Sequence, residues 1–345
     1  MNQRLGSGPG RKEFRTNINR RRGLVLLGSA AATAIAGSAF WRQADAQSAF
    51  LSNQGFPYDA FDQIPETRLT IGGGAIHVGI APGRLALATP RILDWIRRAA
   101  TAVSIYYGRL PVASVRVLVV PVSGAGVRGG TTWGYRGAAI RMLLGSEADQ
   151  ADLDRDWKMT HEFVHTALPA MPPRFNWLSE GLAVYVEPIA RVQAGFLTPR
   201  TIWADMVRDM PKGLPQVDDE GLDNTPTWGR TYWGGALFCL LSDIEIRRRT
   251  NDRLGLQDAM RGVLAAGANH EVEWPIRKIL AVADRAVGST TLMNLFERMH
   301  AKPENVDLEA VWKSLGIDVS DAGPTFRDDA PRASTRIAIT RKPAA

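Results

Sequence analysis

His161-Glu162-Phe163-Val164-His165 places two imidazoles and a carboxylate within five residues. In a helix of 3.6 residues per turn, positions i and i+4 share a face, so both imidazoles point the same way. Two neutral imidazoles so placed can converge on one Zn2+, with Glu162 beside the metal as a general base. A catalytic zinc takes three protein ligands and keeps a fourth position open for water. Glu180, fifteen residues beyond His165, is the natural third ligand, near the start of a second helical pattern that runs from Trp177 to Glu187. Two plainer readings compete: a five-residue pattern that recurs by chance, and a Glu180 that only complements the dipole of its own helix.

Taken together, these stretches resemble the gluzincin metallopeptidases, nearest to the group that holds the aminopeptidase N and glycyl aminopeptidase families. Those families pair a His-Glu-x-x-His helix with a later Glu-Gly-hydrophobic-Ala-x-Tyr helix whose Glu ligates zinc. Here the matching residues are His161, Glu162 and His165, then Glu180-Gly181-Leu182-Ala183-Val184-Tyr185. A further Tyr that stabilises the oxyanion opens a later helix in those families; Tyr232-Trp233-Gly234-Gly235-Ala236-Leu237 fits that context, and Leu241 to Arg247 continues it. The resemblance spans about residues 110–315 and implies an α+β fold: a thermolysin-like zincin catalytic domain with a small mixed sheet, followed by a helical C-terminal part.

The same resemblance implies a zinc metallopeptidase. Zn2+ is then held by His161, His165 and Glu180; Glu162 takes a proton from the attacking water, and Tyr232 donates to the tetrahedral oxyanion. As a plain reading, Tyr232 is a core aromatic beside Trp228 and Trp233. The strand predicted at Ala138–Leu144 is the expected edge for an extended peptide or protein substrate. Two features depart from the families. Only 14 residues separate His165 from Glu180, a few short of the interval usual in the aminopeptidase N family. The stretch Gly129 to Tyr135, where aminopeptidases carry the acid that holds a substrate amine, has no acid. An endopeptidase, or a peptidase with an unusual substrate, fits better. The rival from another class is a catalytically silent zincin-fold envelope protein acting as a binding module.

Working outward, the chain of 345 residues carries a net charge of +7, which at first suggests nucleic acid. Residues 1–46 hold eight Lys and Arg against Glu13 and Asp45, a net +6, so the remainder is close to neutral and no polyanion partner is expected. Arg20-Arg21-Arg22, the uncharged run Gly23–Trp41 and the small-x-small site Ala44-Asp45-Ala46 predict an export signal of the twin-arginine kind over 1–46. Export to the periplasm or medium follows if it is cut. If it is not, the 19-residue run is just long enough to anchor the chain in a membrane.

A surface arm is expected over 47–66, the catalytic domain over 67–250, the helical part over 251–320 and a disordered tail over 321–345. Within these, the patterns predict a hairpin over 68–78, a helix over 89–108, a strand over 115–122 and C-terminal helices near 255–265, 274–286, 290–300 and 308–314. The acids Glu147, Asp149, Asp152 and Asp154 are expected to complement the N-terminus of the motif helix. Cys239, the one cysteine, lies in an apolar run and reads as core. His77, His270 and His300 have no partner at ligand spacing and read as structural or exposed; Asp218-Asp219-Glu220 reads as a solvated loop. Glu187 reads equally as a carboxylate holding a ligand histidine or as a solvated one. Specificity is expected in loops 123–136 and 188–230.

Overall fold

The computed structural model describes residues 49–51, 55–320 and 323–343. The expected export signal over 1–46 therefore lies outside the described residues. Among those described, no helix is long and apolar enough to cross a membrane.

Five strands form one mixed sheet: β1 (Glu66–Ile71), β2 (Gly74–Ile80), β3 (Ser114–Val122), β4 (Val127–Trp133) and β5 (Ala138–Gly145), in the order β1-β2-β3-β5-β4. The two outer pairs are antiparallel; β2, β3 and β5 run parallel. In β3 successive side chains go to opposite faces. Val115, Val117 and Val119 join the main core, while Leu118 and Val120 join a second cluster on the other face. A strand buried on both faces reads as a continuous apolar run, which is why β3 stands out in the sequence.

Helix α1 (Thr89–Tyr107) packs its Ile92, Trp95, Ile96 and Val103 into the main core. A short α2 (Gln150–Arg155) leads into the motif helix α3 (Lys158–His165), and α4 (Asn176–Gln193) carries Glu180. Helix α5 (Pro199–Asp209) is followed by α6 (Gly235–Thr250), α7 (Leu256–Ala265), α8 (Ile276–Ala286), α9 (Thr291–Met299) and α10 (Leu308–Ser314). The apolar core runs without a break from the sheet through these last helices, across the boundary expected at residue 250.

Helices α4 and α6 cross where two glycines meet. A Cβ on Gly181 would overlap the backbone of Gly235, so the Gly after Glu180 serves close helix approach. One turn on, Tyr185 Oη donates to Asp243 (2.9 Å), and Asp243 also accepts from Arg247 (2.8 Å) and from the Leu256 backbone (2.9 Å). Much of the family-like pattern thus fixes α4 against α6.

Several expectations are corrected. Within the surface arm expected over 47–66, the described residues Phe50, Phe56, Tyr58 and Phe61 are buried against Leu118, Val120 and Ala139, where they cover the sheet's second face. The tail, over its described residues 323–343, pairs Thr325–Phe326 with Ile317–Asp318 and forms α11 (Ala333–Thr340). There Arg336 donates to the Leu315 carbonyl (2.9 Å) and Thr335 to Asp252 (2.8 Å), polar anchors that apolar periodicity does not register. Asp149 and Asp152 form a capping box on α2 instead of serving the motif helix. Ala138–Gly145 is no edge: it lies between β3 and β4, and the edge strand is β4, hidden in the sequence by its two glycines. Loop 123–136 therefore contains a strand and loop 188–230 contains α5.

Candidate metal centre

The motif helix starts where the Asp156 carboxylate accepts the backbone N–H groups of Lys158 (3.1 Å) and Met159 (3.0 Å), two donors that a helix start leaves unpaired. Phe163 and Val164 turn into the core and His161 and His165 turn out of it, their rings 4.7 Å apart at 85°. Pro169, Pro172 and Pro173 then prevent helix, and a 3-10 turn at Pro173–Phe175 delivers α4. Glu180 meets both imidazoles: its Oε2 lies 3.1 Å from His161 Nε2 and 3.5 Å from His165 Nε2.

One ligand atom from each of the three residues lies within 4.8 Å of the others. A tetrahedral ion with bonds of about 2.0–2.1 Å spaces its ligand atoms about 3.3–3.4 Å apart, and the two imidazole–carboxylate distances bracket that value. Two nitrogens and one carboxylate oxygen form a donor set suited to zinc. The residues fit the metal.

The electrostatics agree with a site built to hold charge. Burial disfavours ionised Glu180, but the two imidazoles override it and hold the carboxyl well below its usual range. For His165, burial disfavours the cation, yet Glu180 and Glu162 together raise its pKa overall. A divalent ion held by His161, His165 and Glu180 would supply that positive charge.

Around the triad stand residues that sequence reading did not single out. Ser179 Oγ lies 3.1 Å from His165 Nδ1 and fixes the ring from its far side. Thr132 Oγ1 on the edge strand reaches Glu162 Oε2 at 2.7 Å and the Glu162 carbonyl at 3.0 Å. Beside it, a Cβ on Gly130 would stand 2.6 Å from Glu162 Cγ. Gly130 thus provides the room in which this carboxylate sits. Gly130→Ala is expected to leave the fold intact, since the clash is with a side chain, and to displace Glu162. A displacement on the order of 1 Å costs about 100-fold in turnover. Comparing kcat and thermal unfolding for this variant and wild type checks it.

Tyr232 lines the same cleft as His161, Glu162 and Glu180. It lies on a π-helical turn (Gly229–Gly234) just before α6, a distortion frequent at functional sites. The preceding Arg230 is anchored by a buried ion pair with Asp219 (2.7 Å) and a bond to the Gly213 carbonyl, so Asp219 is not the solvated residue expected. Burial and the nearby Glu180 and Glu162 carboxylates raise the Tyr232 pKa, keeping its phenol a donor. Trp228 stacks on it at 5.9 Å and is 60 % exposed, so Tyr232 faces an open cleft and is not a core aromatic.

The remaining candidates fall elsewhere. Glu187 touches no imidazole: it is buried against Arg191 (2.7 Å), and burial pushes its carboxyl up to about 7. His77 pairs with Glu66 (2.9 Å), and His300 stacks on Phe296 near Asp223 (3.3 Å). His270 does line the cleft, with Nδ1 3.2 Å from the Leu168 carbonyl, but stands outside the ligand cluster. Cys239 is a free, buried thiol.

A scan against protein-family models finds no match, and a search of curated proteins finds none. Among solved structures, the chain is similar to an aminopeptidase N family protein from Idiomarina loihiensis, with a TM-score of 0.55 and 13% identity over 78% of this chain and 53% of that one. An M1 zinc metallopeptidase from Deinococcus radiodurans matches with a TM-score of 0.44 and 15% identity over 70% of this chain and 53% of that one, too distant to carry weight. The chain spans about half the length of these structures. The first likeness establishes a shared mixed α/β fold.

Proposed function

We propose that this chain is a zinc-dependent peptidase that cleaves peptide bonds within a chain, rather than at a free amino terminus. One observation carries the reading: His161, His165 and Glu180 converge at metal-ligand spacing, beside a carboxylate that no ligand role consumes. The fold shared with an aminopeptidase N family protein supports the same class.

A bound zinc ion supplies Lewis-acid polarisation of the scissile carbonyl and acidifies a water beside it. Thr132 holds Glu162 Oε2, which leaves Oε1 to accept the proton of the attacking water. As the water oxygen bonds to the carbonyl carbon, the carbonyl oxygen gains charge, and Tyr232 Oη–H donates to it. Glu162 then delivers the proton to the leaving amide nitrogen, and the C–N bond breaks. The substrate backbone pairs with the outer edge of β4, whose residues Gly129 to Thr132 line the cleft. The leader over 1–46 extends the proposal to an exported enzyme.

The test is cleavage of quenched-fluorescence peptides, each in a free and an N-acetylated form, by the purified protein. N-acetylated peptides are expected to be cut as fast as free ones, because the described lining has no acid beyond Glu162 and Glu180 to hold an amine. Chelation is expected to abolish cleavage, and zinc to restore it. Activity unchanged by chelation, or lost on N-acetylation, would contradict the reading.

A further inference from the structure

The cleft that holds the triad has a volume of about 520 Å³, and its described lining contains three ionisable residues besides the histidines and Tyr232: Glu162, Glu180 and Lys158. The first two are committed, one to Thr132 and one to the imidazoles. With a divalent cation in place, these two carboxylates offset its charge. The Lys158 ammonium is what remains.

Its setting is that of a held but unspent cation. Lys158 Nζ makes no hydrogen bond or ion pair among the described residues; it stands 5.0 Å from the centre of the Trp157 indole. The indole is 44 % exposed and lines the same cleft. The neighbouring acid, Asp156, feels the charge of Lys158 but gives its oxygens to Trp95 Nε1 (3.0 Å) and to the backbone N–H groups at the start of α3. Lys158 precedes His161 by three residues, so the two share a helix face about 4.5 Å apart along the axis. Lys158 and the triad line one cleft, so the ammonium is within reach of a substrate group close to the scissile bond. Across the cleft, the exposed Asn176 amide is a further donor without a side-chain partner among the described residues.

We propose that Lys158 makes this cleft selective for a carboxylate on the substrate close to the bond that is cut. The inference rests on the peptidase reading and gives it a substrate class. Two sources share that chemistry: an acidic side chain within the peptide, and the α-carboxylate of a carboxy terminus. Among the described lining residues, the cleft has no acid besides Glu162 and Glu180 to offer a substrate amine.

The experiment uses the zinc-loaded protein and N-acetylated peptides in two pairs. One pair differs by internal Glu against Gln near the cut, the other by a carboxy-terminal acid against its amide. Wild type is expected to favour the acid in one pair by about 10-fold or more in kcat/KM, the scale of a charge-assisted hydrogen bond. The pair that shows the preference identifies the source. In Lys158→Met the acid-to-amide ratio is expected to fall towards 1, and in Lys158→Arg to survive. Zinc content and thermal unfolding confirm that each variant is folded. The same pairs titrated calorimetrically into the Glu162→Gln protein read the preference without turnover. Cleavage or binding with no preference in wild type, or a preference that Lys158→Met keeps, would overturn the inference alone. No cleavage of any peptide and no binding would overturn the peptidase reading, and this inference with it.

Discussion

Glu162→Gln is expected to reduce kcat by about 1,000-fold or more while zinc stays bound at the wild-type ratio. The amide keeps the shape of the carboxylate, and it can still meet Thr132, whose hydroxyl lies 2.7 Å from the present oxygen. What it loses is the capacity to accept and return a proton. Because Glu162 is not one of the ligand atoms that converge at the centre, the metal is untouched. The variant therefore separates chemistry from binding: KM is expected to change little and kcat to fall. Steady-state kinetics on the quenched peptides, with metal analysis of the same samples, gives both values. Unchanged turnover with zinc in place would remove Glu162 from the reaction, whereas no turnover in either protein would favour a chain that keeps the site only to bind.

The second large effect is on stability. Chelation of zinc is expected to lower the unfolding temperature by about 6 °C. A ligand that binds only the native state stabilises it by RT ln(1 + [L]/Kd), about 4 kcal/mol at a thousand times Kd. For a chain of this size, with an unfolding entropy of about 2.1 cal/mol/K per residue, each kcal/mol shifts Tm by about 1.5 °C. The metal-free protein is expected to remain folded, because Glu180 lies 3.1 and 3.5 Å from the two imidazoles and pairs with them when they are protonated. In Glu180→Gln the shift on chelation is expected to vanish, since the third donor no longer carries charge. Thermal unfolding with and without chelator, on both proteins, measures it. A wild type indifferent to chelation would mean that the native state holds no metal.

What the sequence shows of this site is what lies within a helical turn. His161 and His165 are legible because i and i+4 share a face, and β3 because its apolar run serves two buried faces. The place of Glu180 rests on a resemblance in pattern, and the structure gives part of that pattern a packing reason in the Gly181–Gly235 crossing. Contacts between residues distant in the chain left no such trace. Thr132 reaches Glu162 across 30 residues and Ser179 reaches His165 across 14, and nothing in either neighbourhood marks them. Strand β4 was hidden because glycine is poor in strands, and Gly130 is there to clear the Glu162 side chain. Lys158 is visible as a charge in the sequence, but that its ammonium forms no ion pair among the described residues depends on where Asp156 directs its oxygens.

The most direct test of the account is the zinc content of the purified protein by plasma mass spectrometry, beside Glu180→Gln. The account predicts about one zinc per wild-type chain and clear loss in the variant, as expected of a three-ligand site. No zinc in the wild type even after reconstitution, or equal zinc in both, would contradict the assignment of His161, His165 and Glu180 as its ligands.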